Sequence, residues 1–135
     1  MTEPQLSPIG VVRSPLSDRG SAPKQGHEGS PEAVLIFDAA VADGLADVGV
    51  GDQLIVLTWL HRADRSVLRV HPRDDRSQPQ RGVFSTRSPD RPNPIGLHVV
   101  DVVAVDGLEL RVRNLEAFDG TPVVDVKPVL GGVSA

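Results

Sequence analysis

The 135 residues are enough for one domain, 1–135, with a real core, and 39% hydrophobic with 24% charged residues is an ordinary globular balance. No cysteine is present, which excludes disulfides and thiolate zinc sites, and 3% aromatics without tyrosine argue against a sheet that stacks RNA bases on its face. A net charge of −4 argues against a broad nucleic-acid surface while leaving room for a local basic patch.

Met1-Thr2-Glu3-Pro4-Gln5 has neither the basic head nor the apolar core of a signal segment, and no apolar run approaches the ~18 residues that span a membrane. A cytoplasmic protein is the expectation. Pro8 to Pro15 reads as a first strand stopped by proline. Residues 14–31, with three prolines, three glycines and four serines, form a long connection around Gln25. Glu32 to Phe37 is a second strand. Asp38 suits the N-cap of a helix from Ala39 to Asp47, with Val41, Leu45 and Val48 on one face and Gly44 weakening it. Gln53 to Leu60 is the strongest strand, apolar on both faces and so read as central; it runs directly into His61.

Ser66 to Val70 is a short strand candidate, and His71 to Arg81 a polar loop. Leu97 to Val105 is a long valine-rich strand. Asp106-Gly107 signals a type I′ hairpin, after which Leu108, Leu110 and Val112 alternate with charged residues. Asp119-Gly120 makes another turn before a last strand through Val124 and Val126. This pattern predicts a mainly β fold: a small, closed or nearly closed antiparallel β-barrel with one short helix and long loops.

The stretch from Gly82 to Gly96 differs from the rest. It is bounded by apolar strand candidates and holds prolines at 89, 92 and 94, which fix φ and push Ser88, Arg91 and Asn93 toward extended backbone. The result is a stiff loop carrying Ser85, Thr86, Arg87, Ser88, Arg91 and Asn93. Such a loop loses little entropy when it binds a ligand. A purely structural connection has the same spacing.

Familiar cofactor motifs fail on context. Gly49-Val50-Gly51 follows a helix and precedes a strand, the reverse of a dinucleotide loop, and no Walker A sequence exists. The four histidines, at 27, 61, 71 and 98, do not pair at metal-ligand spacing, so no metal is expected. His61 stands apart because it ends a buried strand, where residues often line a site. Ser88 has no nucleophile elbow around it. Asp119-Gly120-Thr121-Pro122 and Asp125-Val126-Lys127 read equally well as a turn and a solvated strand face.

Several segments occur together in one order. They are Ile9 to Pro15, Pro23-Lys24-Gln25, Val56 to His61, Gly82 to Gly96, and Asp119-Gly120-Thr121-Pro122-Val123-Val124-Asp125-Val126-Lys127-Pro128. In this the chain resembles the TrmO (YaeB-like) family of S-adenosylmethionine-dependent tRNA methyltransferases, from about residue 8 to residue 130. Gly51-Asp52-Gln53 depart from that family's Phe-Ser-His-like element. The resemblance implies a small β-barrel that binds S-adenosylmethionine without a Rossmann sheet, and a homodimer with the cofactor pocket near its interface. The implied reaction methylates the exocyclic amino nitrogen of threonylcarbamoyl-adenosine beside a tRNA anticodon.

Given that reaction, Gln25, His61, Arg87, Ser88, Asn93, Pro94, Ile95, Gly96, Leu115, Asp119, Thr121 and Pro122 are candidate cofactor contacts. Asp119 suits a hydroxyl or amino group. Backbone at Ile95-Gly96 and Leu115 suits adenine, with Gly96 allowing close approach. Arg87 and Arg91 suit the threonyl carboxylate. Asp125 and His61 are candidate bases for a weakly nucleophilic nitrogen. Two other readings share the cofactor: a barrel methyltransferase with a small-molecule acceptor, and a non-catalytic S-adenosylmethionine-binding sensor or partner module.

Overall fold

The computed structural model describes residues 3–15 and 32–131. Six antiparallel strands close into a ring in the order β1 (Gly10–Arg13), β2 (Ala33–Phe37), β7 (Glu109–Arg113), β6 (Ile95–Asp106), β3 (Gln53–Trp59) and β8 (Pro122–Pro128), with β8 returning to β1. Two short strands, β4 (Arg69–Val70) and β5 (Arg81–Gly82), pair separately as a ribbon.

Alternation makes the ring's interior. Leu54, Val56 and Thr58 of β3, Val100 and Val102 of β6, Leu110 and Val112 of β7, Leu35 and Phe37 of β2, Val12 and Val123 are all buried. Each such Val or Leu contributes roughly 1.5–3 kcal/mol by leaving water. Leu115 and Ala117, from the connection after β7, join this core from one end; Ile9, Val41, Leu45 and Val48 pack on it as well. Gly10 permits β1 to lie close on β2, because a Cβ there would meet the Ile36 carbonyl.

The register sorts the connections. Trp59 pairs with Ile95, Thr58 with Val123, Val11 with Pro122, and Ala33 with Val112. The connections 14–32, 60–94 and 114–121 therefore leave from the same end. The connections 38–52 and 107–108 leave from the other, as does the chain after Pro128.

Several expectations change. Ala39–Leu45 is a 3-10 helix, and the Asp38 side chain does not cap it. Val41, Leu45 and Val48 pack on the core from this short segment, in which Gly44 disfavours longer helical turns. The β6–β7 turn is Gly107-Leu108, one residue later than Asp106-Gly107, and Gly107 alone has positive φ (59°). That is the pattern of a glycine at the first central position, as in type II′ turns. The Ser66–Val70 candidate reduces to β4, and Val83-Phe84-Ser85 is a 3-10 turn rather than strand. β3 is central but buried on one face only; Ile55, Leu57 and Trp59 face outward, half-buried. Gln25 lies outside the described residues, as does most of the 14–31 connection.

Candidate functional site at the loop end of the ring

The connection between β3 and β6 is closed at its neck by Leu60 N–H donating to the Pro94 carbonyl (2.8 Å). Arg65 braces the same neck: Nε donates to the Pro92 carbonyl (2.7 Å), Nη2 donates to Asn93 Oδ1 (3.1 Å), and the guanidinium lies 5.1 Å from the centre of the Trp59 ring. Asp64 N–H donates to Asp90 Oδ1 (2.9 Å), tying the start of the connection to its end. The Asp64 carboxyl is held below its ordinary value by the Ser66 hydroxyl and the Ser66 N–H.

Arg91 is bound inward. It donates to the carbonyls of Val83 (2.7 Å), Thr86 (3.0 Å) and Ser88 (3.0 Å). The Val83 carbonyl also accepts from Thr86 N–H and Thr86 Oγ1. Ser88 Oγ accepts from Asp90 N–H (3.2 Å). This loop is therefore held by a guanidinium fork as well as by its prolines. Arg87 is different: its exposed side chain has no hydrogen bond or ion pair among the described residues.

Asp119 links two connections, because its Oδ1 accepts from Ser14 N–H (3.0 Å). Its second oxygen has no partner among the described residues. The turn beneath it is structural. Gly120, at φ 86°, donates its N–H to the Val12 carbonyl, and the buried Thr121 hydroxyl donates to the Phe118 carbonyl (2.6 Å). The Arg62 guanidinium stands 4.8 Å from the centre of the Phe118 ring and so joins the 60–94 connection to the 114–121 connection.

Below the neck, Thr58 Oγ1 and His98 Nε2 share a hydrogen bond of 2.9 Å. A Cβ at Gly96 would meet that hydroxyl, that ring nitrogen and Leu60. The missing side chain at Gly96 thus makes room for the Thr58–His98 pair. Burial pushes the His98 imidazole down to about 4 from 6.5, so it is neutral near pH 7.

The loop end brings together His61, Arg87, Ser88, Arg91, Asn93, Pro94, Ile95, Gly96, Leu115, Asp119, Thr121 and Pro122. Their side chains are not equally available. Leu115, Thr121, Pro94 and Gly96 are buried, while His61, Arg87, Asn93 and Asp119 are exposed. Asp125 is not part of this group. It pairs with Leu57 on the outer face of the ring, 4.0 Å from Lys127, and both border a hollow of about 410 Å3 toward the opposite end, lined by Ile9, Phe37, Val41, Leu45 and Leu54. Sequence reasoning passed over Arg65, Arg62, Thr58 and Phe118. Asp64-Arg65-Ser66 is an Asp-Ser turn that marks where Arg65 is fixed; the others carry no local signal. No cluster of metal-ligating side chains and no helix long and apolar enough to cross a membrane occurs among the described residues.

The family described as the tRNA-methyltransferase O N-terminal domain matches residues 11–133. The chain belongs to the TrmO family. A probable S-adenosyl-L-methionine-binding protein of Methanothermobacter thermautotrophicus is 47% identical over 126 residues, covering 93% of this chain and 90% of that one. The tRNA (adenine(37)-N6)-methyltransferase of Escherichia coli is 34% identical, covering 96% of this chain and 59% of the enzyme. A crystal structure of TrmO from Pseudomonas aeruginosa superposes with a TM-score of 0.74 at 28% identity, over 96% of this chain and 57% of that one. The chain thus spans little more than half the length of the Escherichia coli enzyme and of the Pseudomonas aeruginosa protein, and nine-tenths of the archaeal one.

Proposed function

We propose that this protein is an S-adenosylmethionine-dependent methyltransferase of the cytoplasm. In this reading it methylates the exocyclic nitrogen of adenosine, in its threonylcarbamoyl form, beside the anticodon of tRNA, and its ring of strands is the small barrel of that family. The observation that carries the reading is the convergence of separate sequence segments at one end of the ring, tied by Ser14–Asp119, Leu60–Pro94, Arg65–Asn93 and Arg62–Phe118. The curated relatives named for S-adenosylmethionine binding and for tRNA adenine methylation support it.

The residues present fit the cofactor. When bound, S-adenosylmethionine supplies an electrophilic methyl group. Asp119 offers a carboxylate oxygen for hydroxyl or amino groups. The backbone at Ile95 and Leu115 is available for adenine, although the Leu115 side chain belongs to the core. Arg87 is the guanidinium left to pair with a carboxylate, and Arg91 positions the loop that presents it. His61, exposed at the neck, is the base that takes the proton from the acceptor nitrogen. Transfer is an in-line displacement, so alignment by a stiff loop carries most of the rate.

The outer faces of β3 and β6 support a homodimer. Ile55 pairs with Val99, Leu57 with Leu97, and Trp59 with Ile95, and the three β6 residues are exposed. A contiguous apolar patch of this kind marks a protein interface. Asp125 and Lys127 border it on β8. In this arrangement Asp125 reaches a site only through the partner, which separates it from His61 as a base.

The test is transfer of a labelled methyl group to tRNA with and without threonylcarbamoyl-adenosine. Label on the modified tRNA alone is expected. A second reading, a binding protein without transfer to tRNA, is favoured by the names of the archaeal relatives. It predicts calorimetric binding of S-adenosylmethionine with no label on either RNA.

A further inference from the structure

Eight arginines and four aspartates lie between residues 61 and 91, so this stretch carries +4 in a chain of net charge −4. The remainder of the chain therefore carries −8. The basic residues are concentrated in the connection that forms the β4–β5 ribbon and the neck of the candidate site. Arg76, Arg81 and Arg87 are exposed there, and their side chains have no hydrogen bond or ion pair among the described residues.

Phe84 stands within this stretch, three residues from Arg81 and three from Arg87. It is 81% exposed, in a chain with only three phenylalanines and one tryptophan. The other three aromatics are accounted for. Phe37 is in the core, Phe118 is covered by Arg62, and Trp59 by Arg65. Phe84 projects from a turn that leaves it no freedom to fold away. Val83 beside it is buried, and the Val83 carbonyl accepts from Arg91, Thr86 N–H and Thr86 Oγ1. Ser85 Oγ donates to the Gly82 carbonyl (2.9 Å). Folding gains nothing from a phenyl ring presented to water. A rigid aromatic among unpaired guanidinium groups is the arrangement that holds single-stranded nucleic acid, since a base stacks on the ring while arginines meet the phosphates.

We propose that Phe84 is a stacking platform for an unpaired base of the RNA substrate, with Arg81 on a flanking phosphate. This rests on the proposed action on tRNA. It assigns to one side chain the contact that would keep a base next to the acceptor splayed out of its stack. Charge complementarity selects RNA over a protein partner, which would be expected to cover Phe84 without needing the arginines.

The test measures binding of a labelled anticodon stem-loop RNA, together with kcat and KM for tRNA methylation and the mass of the protein in solution. Phe84→Ala is expected to weaken RNA binding and raise KM roughly 5- to 100-fold, the range for one stacked base. It leaves kcat, S-adenosylmethionine affinity and the mass unchanged. Phe84→Trp restores binding and Phe84→Leu does not, because stacking needs a π face. Equal RNA affinity in the wild type and Phe84→Ala overturns the proposal while leaving the methyltransferase reading intact. So does a loss accompanied by dissociation to a smaller species, which assigns Phe84 to a second copy. Wild-type protein that neither binds nor methylates tRNA overturns both.

Discussion

Two arginines four positions apart in the chain differ by what their guanidinium groups touch. Arg91 is bound to three loop carbonyls and Arg87 to nothing described. Arg91→Ala leaves those carbonyls to water and is expected to lower stability by about 1–3 kcal/mol, seen as a fall in melting temperature. Arg91→Lys does not restore it, because an ammonium cannot fork across three acceptors. Arg87→Ala is expected to leave the melting temperature unchanged and to weaken modified tRNA at least tenfold in kcat/KM. The half-buried His98 gives a pH signature. Its folded value, about 4, is below 6.5, so the unfolded chain takes up a proton between these values and the folded chain does not. That stability is fully present above pH 6.5 and is lost as pH falls toward 4, by at most about 3 kcal/mol. Denaturation of His98→Asn, followed at several pH values, is expected to show a flatter dependence than the wild type across this window.

Among the elements, β6 has a position crowded by side chains, at Gly96. Gly96→Ala forces a methyl group into the Thr58–His98 pair and is expected to destabilise by about 1–3 kcal/mol in a chemical denaturation series. In the sequence, Gly96 reads as the place of the cofactor's close approach; the crowding there by Thr58 and His98 was not legible. Thr58 lies 38 residues earlier and its contact with His98 depends on the β3–β6 register. Period-2 alternation made β7 and β8 readable and continuous apolar, valine-rich runs made β3 and β6 readable, because each strand sends a face into the core. The segment after Asp38 was legible as a short helix, but not its 3-10 type or its end at Leu45. Its apolar spacing reports which face packs, and spacing alone does not separate a 3-10 from an α-helix over seven residues. The Phe84 turn was also hidden, since a buried Val83 followed by Phe84 resembles a strand until the Arg91 guanidinium is seen to hold it.

At the scale of the whole molecule, the strand register gathers the loop motifs at one end and leaves Asp125 on the side. The Gly51-Asp52-Gln53 departure falls at the other end, where Gly51 begins the turn into β3 and donates its N–H to the Val102 carbonyl. It therefore changes the end away from the candidate site. The outward row of Ile55, Leu57, Ile95, Leu97 and Val99 places the proposed self-association on the flank. Leu97→Glu is expected to halve the mass measured by sedimentation while keeping the fold by circular dichroism; an unchanged mass assigns that patch no role in association.

The central claim is the location of the cofactor, and amide chemical-shift mapping with added S-adenosylmethionine tests it most directly. Shifts concentrated on residues 60–66, 86–96 and 114–121 are the expected result. Shifts confined to the hollow around Ile9, Phe37, Leu45 and Leu54 would place the cofactor at the opposite end and contradict the assignment.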